Sequence, residues 1–108
     1  LPICIDGFNG IGGGCNSRLW VQIISDVTGR PLHVVRNHVE AGAVGAALAV
    51  AVGLGVYPGM DAVDGLVRIG RQVEPDASCA RRYDALYHEY RALYEALAPI
   101  HRRLYEIP

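Results

Sequence analysis

The stretch Ile11–Trp20, IGGGCNSRLW, decides how the first part of this chain is read. Three glycines end an apolar run, and a polar turn leads into residues with helical spacing. Leu19, Trp20, Ile23, Ile24 and Val27 share one face of a helix. Ser17 stands where an N-cap belongs, and Gly29 where a left-handed C-terminal residue would stop the helix. Upstream, ICIDGFNGI within Leu1–Ile11 is a short strand signal weakened by Gly7 and Gly10. Downstream, PLHVV at Pro31–Val35 is a brief β-branched run and predicts the next strand. Residues 5–35 therefore read as strand, glycine turn, helix, strand.

Two roles compete for such a turn. Consecutive glycines let backbone N–H groups meet a ligand without interference from Cβ, and a following helix N-terminus favours anionic oxygens. The same glycines also suit a plain connector. The pattern is no Walker A loop, because no G-K-[ST] follows. It is also a poor dinucleotide fingerprint, since Gly10-x-Gly12-x-x-Cys15 and Gly12-x-Gly14-x-x-Ser17 both lack the third glycine. No acid closes the second strand. Arg36 in that place keeps an NADP-type reading, through a 2′-phosphate, as a weaker alternative.

The rest of the chain reads as mainly helical. Glu40 or Ala41 starts a helix through AGAVGAALAVAVG to about Gly53, with small residues on neighbouring turns. Its composition predicts burial on most sides and implies a larger neighbouring structure, because packing must offset roughly 1 kcal/mol of lost propensity per glycine. Pro58-Gly59 marks a turn, and Asp61 is expected to cap a short helix. Arg71–Pro75 is expected to be extended, and Pro75-Asp76 to turn. From Ala77 to Ile107 a long amphipathic helix is expected, bent or broken near Pro99. Its stripe of Tyr83, Leu86, Tyr87, Tyr90, Leu93, Tyr94 and Leu97 reads as a packing face.

Composition bounds the function. The chain has 108 residues and a formal charge of −1, with acids and bases dispersed, which argues against nucleic-acid or polybasic membrane partners. All ten cations are arginine. The uncharged run Ala41–Met60 approaches membrane-span length, but Gly53, Gly55 and Pro58 interrupt it, so no membrane partner is expected. Cys4, Cys15 and Cys79 form no disulfide framework and no zinc spacing, and a reducing cytoplasm is the expected location. Cys15 is expected at the surface of the turn, with no base beside it to make a nucleophile. His33, His38, His88 and His101 are dispersed and suggest no metal site. No signal peptide is read at the first residues.

The order of segments carries more. IGGGCNSRLWVQIISDVTGRPL, then EAGAVGAALAVAVGLGVYPGMDAV, then EPD and a tyrosine-rich final helix resembles the C-terminal end of FGGY-family carbohydrate kinases, in their xylulokinase-like branch. The similarity runs from about Phe8 to Ile107. The glycine triplet with its Leu-Trp pair and Gln-x-x-x-Asp is the most specific part, and E-A-G-A-x-G-A-A follows at a matching distance.

The resemblance implies an α/β fold: part of an actin/hexokinase-like (RNase H-like) ATPase lobe, helix-rich with a few short strands. Residues 1–108 would be the C-terminal portion of the C-terminal domain, on its nucleotide side, and so a fragment. It implies ATP/ADP as ligand, with Mg²⁺ in the intact enzyme. It also implies transfer of the γ-phosphoryl group to a sugar or polyol, such as xylulose or a related pentulose. Gly12, Gly13, Gly14 and Ser17 would contact the nucleotide, and Gly42 and Ala43 would support them. The catalytic base and most of the sugar pocket would belong to an N-terminal lobe and to other segments. Asp6, Asp26, Asp61 and Asp64 are candidates by residue type only, and none is assigned. No turnover is expected from this chain alone. Oligomeric state stays open, a homo-oligomer included. The competing class is a non-catalytic helical interaction or assembly module, with the glycine turn as a connector.

Overall fold

The structure, a computed structural model, describes residues 4–108. The expected first strand reduces to β1, Phe8–Gly10, and its Leu1–Ile3 part lies outside the described residues. Helix α1 follows at Arg18–Thr28, then β2 at Leu32–Val35. Ser17 caps α1 by accepting from the Trp20 N–H at 3.2 Å. Gly29 ends it with φ 62°, a left-handed conformation that suits glycine.

Strands β1 and β2 run parallel, with Phe8 opposite Leu32 and Gly10 opposite Val34. A parallel pair needs a crossover, and α1 supplies it. Strand β3, Ile69–Val73, then lies antiparallel on the other edge of β2, pairing Leu32 with Val73 and Val34 with Arg71. A bulge falls between Val34 and Val35. The sheet order is β1-β2-β3.

The core lies between α1 and this sheet. Cys15, Val21, Leu32 and Val34 form it, with Phe8, Ile24 and Val73 packed around them. Polar groups on the buried side of α1 tie it to the far end of the sheet. Ser25 is fully buried and donates to the carbonyls of Arg30 (2.8 Å) and Val73 (3.2 Å). Asp26 is buried and accepts from Gln22 Nε2 at 2.8 Å and from the Asp76 N–H at 2.7 Å. Gln22 Nε2 also donates to the Glu74 carbonyl at 2.9 Å. The Gln-x-x-x-Asp pattern is thus one helical turn that grips the turn between β3 and the final helix, because residues four apart share a helix face.

The remaining elements pack less. Helix α2 spans Ala41–Gly53, and Leu48 is its only buried residue. The described residues leave the rest of α2 open, so the expected burial on most sides falls to the larger neighbouring structure that its composition implies. After it comes one 3₁₀ turn, Met60–Ala62, running into the single-turn helix α3, Val63–Leu66. Asp61 is no cap: Gly59 and Ala62 precede these elements, and neither is capped by a side chain. Asp76 is the residue that caps here, accepting from the Ser78 N–H at 2.9 Å ahead of the 3₁₀ turn Ala77–Cys79.

Helix α4 runs from Ala80 to Tyr105 and continues through Pro99. The expected break is absent: proline removes one N–H donor, and the rest of the helix keeps its own bonds. Its stripe is open, with Tyr90 70% and Tyr94 73% exposed. The expected packing face therefore has no cover from the described residues along most of its length. The Cα radius of gyration is 19.4 Å, against about 13 Å for a compact domain of 100 residues. No helix among the described residues is long and apolar enough to cross a membrane.

Candidate functional site

The glycine turn is built where β1 meets α1. At Gly10, a Cβ would come within 3.0 Å of Cys15 Sγ and 3.4 Å of Leu32, so glycine there lets the turn fold back onto the core. Gly12 has φ 84°, and its N–H donates to the His38 carbonyl, joining the turn to the loop before α2. Gly13–Asn16 then make one 3₁₀ turn, in which Cys15 N–H bonds Gly12 O and Ser17 N–H bonds Gly14 O, both at 3.2 Å. Cys15 is buried rather than at the surface, with its thiol directed at the Ile11 carbonyl at 3.5 Å. Its small apolar body fills the core beside Gly10, which is why the exposed placement expected for it fails.

The three glycines have unequal structural reasons. Gly12 is required by its positive φ, where an L side chain is strained. Neither Gly13 nor Gly14 has a positive φ. A Cβ on Gly13 would meet nothing within 4 Å. One on Gly14 would reach ordinary contact, 3.4 Å, with Trp20 Cδ1. The indole thus lies against the turn and is about half exposed.

The structure gathers Gly12, Gly13, Gly14 and Ser17 at the N-terminus of α1. Ser17 Oγ is engaged as an acceptor by the cap, and its hydroxyl hydrogen stays free to donate. Gly42 and Ala43 lie in the first turn of α2, linked to the glycine turn through His38. The four aspartates do not converge there. Asp6 is exposed before β1, Asp61 and Asp64 are exposed together on the short segment Met60–Leu66, and Asp26 is committed to the β3–α4 turn. Among the described residues no three His, Cys, Asp or Glu side chains come together as metal ligands.

Cavities flank the turn. One of about 270 Å³ is lined by Gly10, Gly14, Trp20 and Ile24. Another, about 280 Å³, is mainly apolar, between Ile11, Val35, Val44, Leu48 and Leu66, with Arg36 and Arg68 also in its wall. A third, about 360 Å³, lies by Cys15, Asn16, Arg36, His38 and Arg71. Arg71 Nη2 donates to the Cys15 carbonyl at 3.1 Å, bracing the turn from β3. The sequence did not single out His38 or Arg71 here. Arg71 lies 56 positions from Cys15, and no local spacing signals that contact.

Known proteins share this arrangement. Residues 8–54 match the FGGY family of carbohydrate kinases, C-terminal domain. The chain is 39% identical over 84 residues to autoinducer-2 kinase of Enterobacter sp. (strain 638), and 38% identical to that of Photorhabdus laumondii. Each alignment covers 77% of this chain and 16% of the relative, so the chain spans about one sixth of the length of these relatives. The crystal structure of xylulose kinase from Rhodospirillum rubrum superposes with a TM-score of 0.68 at 42% identity, over 86% of this chain and 19% of that one. A ligand-bound xylulose kinase from Lactobacillus acidophilus, at 19% identity and TM-score 0.76, shares the fold. The architecture is accordingly part of an actin/hexokinase-like lobe, helix-rich around a small sheet. Its glycine turn, the capped helix behind it and the small-residue helix that follows all fall within the stretch that matches the C-terminal domain of the FGGY carbohydrate kinases, and the chain is consistent with a fragment of that family.

Proposed function

We propose that this chain supplies the adenosine side of the nucleotide site in a carbohydrate kinase. In that reading Gly12, Gly13, Gly14 and Ser17 line the nucleotide, and Gly42 and Ala43 support them from α2. The whole enzyme transfers the γ-phosphoryl group of ATP to a hydroxyl of a sugar or polyol. The relatives' names, autoinducer-2 kinase and xylulose kinase, point to a small acceptor such as xylulose or a related pentulose.

One observation carries the reading. Gly13 has an ordinary φ and open space where its Cβ would be, so nothing among the described residues demands glycine there. A ligand pressed against the backbone would demand it, because a side chain would stand in the way. The α1 N-terminus beside it offers partial positive charge to an anionic group. Both points support ATP as the ligand of the turn. Phosphoryl transfer also requires a metal, positioned phosphates and an oriented hydroxyl. Mg²⁺ would supply charge neutralisation in the whole enzyme, and no residue of this chain is assigned to hold it or to act as the base. The chain alone is expected to give no turnover.

Trp20 is the reporter, since its indole lies against Gly14. Titration with ADP is expected to change its fluorescence saturably, with NADP much weaker. Gly13→Ala is expected to lower ADP affinity about tenfold or more, by placing a methyl where the ligand would lie, without loss of stability. A silent Trp20, or NADP preferred over ADP, would overturn the proposal. The exposed Leu86, Tyr90, Leu93 and Tyr94 on α4 favour a second reading, a non-catalytic assembly module. That reading predicts no nucleotide response and self-association through α4.

A further inference from the structure

The cavity of about 360 Å³ between the glycine turn, the end of β2 and β3 has a chemistry of its own. Its wall contains Arg36, His38 and Arg71 and no carboxylate. Two of its polar atoms, His38 Nδ1 and Arg71 Nε, are buried without a hydrogen-bond partner. A guanidinium keeps its proton at any ordinary pH, so the Arg71 Nε–H is a permanent donor. A buried donor left without an acceptor destabilises the fold, because it has given up its bond to water. Arg71 is nevertheless held in place, by its Nη2 bond to the Cys15 carbonyl and by its pairing with Val34. The backbone of Arg36 is held as well, its side chain being exposed. Its N–H donates to the Arg68 carbonyl at 2.8 Å, and its Cα would lie 3.2 Å from a Cβ on Gly70, so glycine at 70 admits this close approach.

We propose that this cavity binds a phosphate-class dianion, either free orthophosphate or the phosphoryl group of a phosphorylated small molecule. Arginine presents donors in a planar fork that matches phosphate oxygens, and the imidazole adds a donor in its Nδ1–H tautomer. The anion supplies the acceptors that Arg71 Nε and His38 Nδ1 lack and the charge that the wall leaves uncompensated. The inference does not depend on the nucleotide reading. Its cationic residues lie just past β2 and on β3, whereas Trp20 lines a neighbouring cavity that shares Cys15 with it.

The test is a titration of the ¹⁵N-labelled chain with orthophosphate at constant ionic strength, following the His38 imidazole and Arg71 Nε–H resonances by NMR. Saturable shifts are expected with phosphate and none with chloride. Arg36→Gln and His38→Gln are each expected to weaken binding about tenfold, on the scale of one charge-assisted contact. Arg102→Gln, on α4, is the control and should change nothing. Arg71→Gln is less clean, because it also frees the Cys15 carbonyl. Ribose 5-phosphate distinguishes the sources: tighter binding than orthophosphate marks a phosphorylated metabolite, and equal binding marks the free anion. Shifts shared with chloride, no saturation, or affinity unaltered in both variants would overturn the proposal. Displacement of orthophosphate by ADP would make the cavity the phosphate end of the nucleotide site and overturn it as a separate one. A silent Trp20 with responsive His38 would sink the nucleotide reading and leave this one standing.

Discussion

The β1-α1-β2 unit with its β3 edge and the pair of helices α2 and α4 both carry apolar faces, yet they end in opposite states. In the first region the apolar face of α1 meets the sheet, and Ser25 and Asp26 find partners inside the chain. In the second, Val44, Val50 and Leu54 on or just after α2, and Leu86, Tyr90, Leu93 and Tyr94 on α4, stay open. The difference is one of partners rather than propensity. A helical stripe specifies a face to be covered and says nothing about which surface covers it. Contiguous exposed apolar surface of this kind marks an interaction site. The first region therefore carries the stability, and the second depends on what packs against it.

The sharpest way to break this contrast is a matched pair of truncations. Val21→Ala, at a fully buried position, should cost about 2 kcal/mol in chemical denaturation, the loss of two methyl groups plus a residual cavity. Val50→Ala, 61% exposed on α2, should stay within about 0.5 kcal/mol. Equal costs would mean that α2 is covered after all, by self-association for example. Asp26→Ala comes next. It strips an acceptor from the Asp76 N–H and from Gln22, and about 1.5–3 kcal/mol of destabilisation is expected for a charged hydrogen-bond acceptor. Faster hydrogen exchange at Asp76 should accompany it. Gly12→Ala should then cost about 1–2 kcal/mol because of its left-handed φ, while Gly13→Ala leaves the unfolding midpoint in place.

The smallest effect concerns pH. The Ser78 side chain and N–H hold the Asp76 carboxyl below its usual range. A depressed folded-state pKa means that the cap's contribution is complete above the unfolded value, about 3.9, and is lost as pH falls through the lower folded value. Asp76→Asn should accordingly narrow the stability gap between neutral and acidic solution. An unchanged gap would show that the carboxylate charge is immaterial.

Much of the first region was legible in the sequence because its signals are local. Ser17, Gly29 and the spacing of Val27 against Ile23 and Ile24 lie within one helix length of each other, and each has one physical reading. The glycine triplet marked the turn, but its members could not be separated. That Gly12 alone is needed for backbone conformation depends on a φ value, which no spacing reveals. The Gln22–Asp26 pair was visible as a pattern, but its purpose was not, because its partners Glu74 and Asp76 lie some fifty residues away. The cationic cavity was hidden for the same reason: Arg36 and Arg71 come together only through β2–β3 pairing and the bulge beside it. The composition of α2 records a need for cover by a larger neighbouring structure, and the described residues do not meet it.

The long-range bonds that brace α1 and the glycine turn have a temporal side. Ser25 to Val73, Asp26 to Asp76, Gln22 to Glu74 and Arg71 to Cys15 join residues separated by 48 to 56 positions. At ribosomal speeds the second partner emerges roughly 2–10 s after the first. Through that interval α1 can form and β1 can find β2, while a buried carboxylate and the carbonyl of Cys15 wait in water for their donors. The glycine turn is thus translated early and locked late, and the strand that locks it is also the one that carries Arg71 into the cavity.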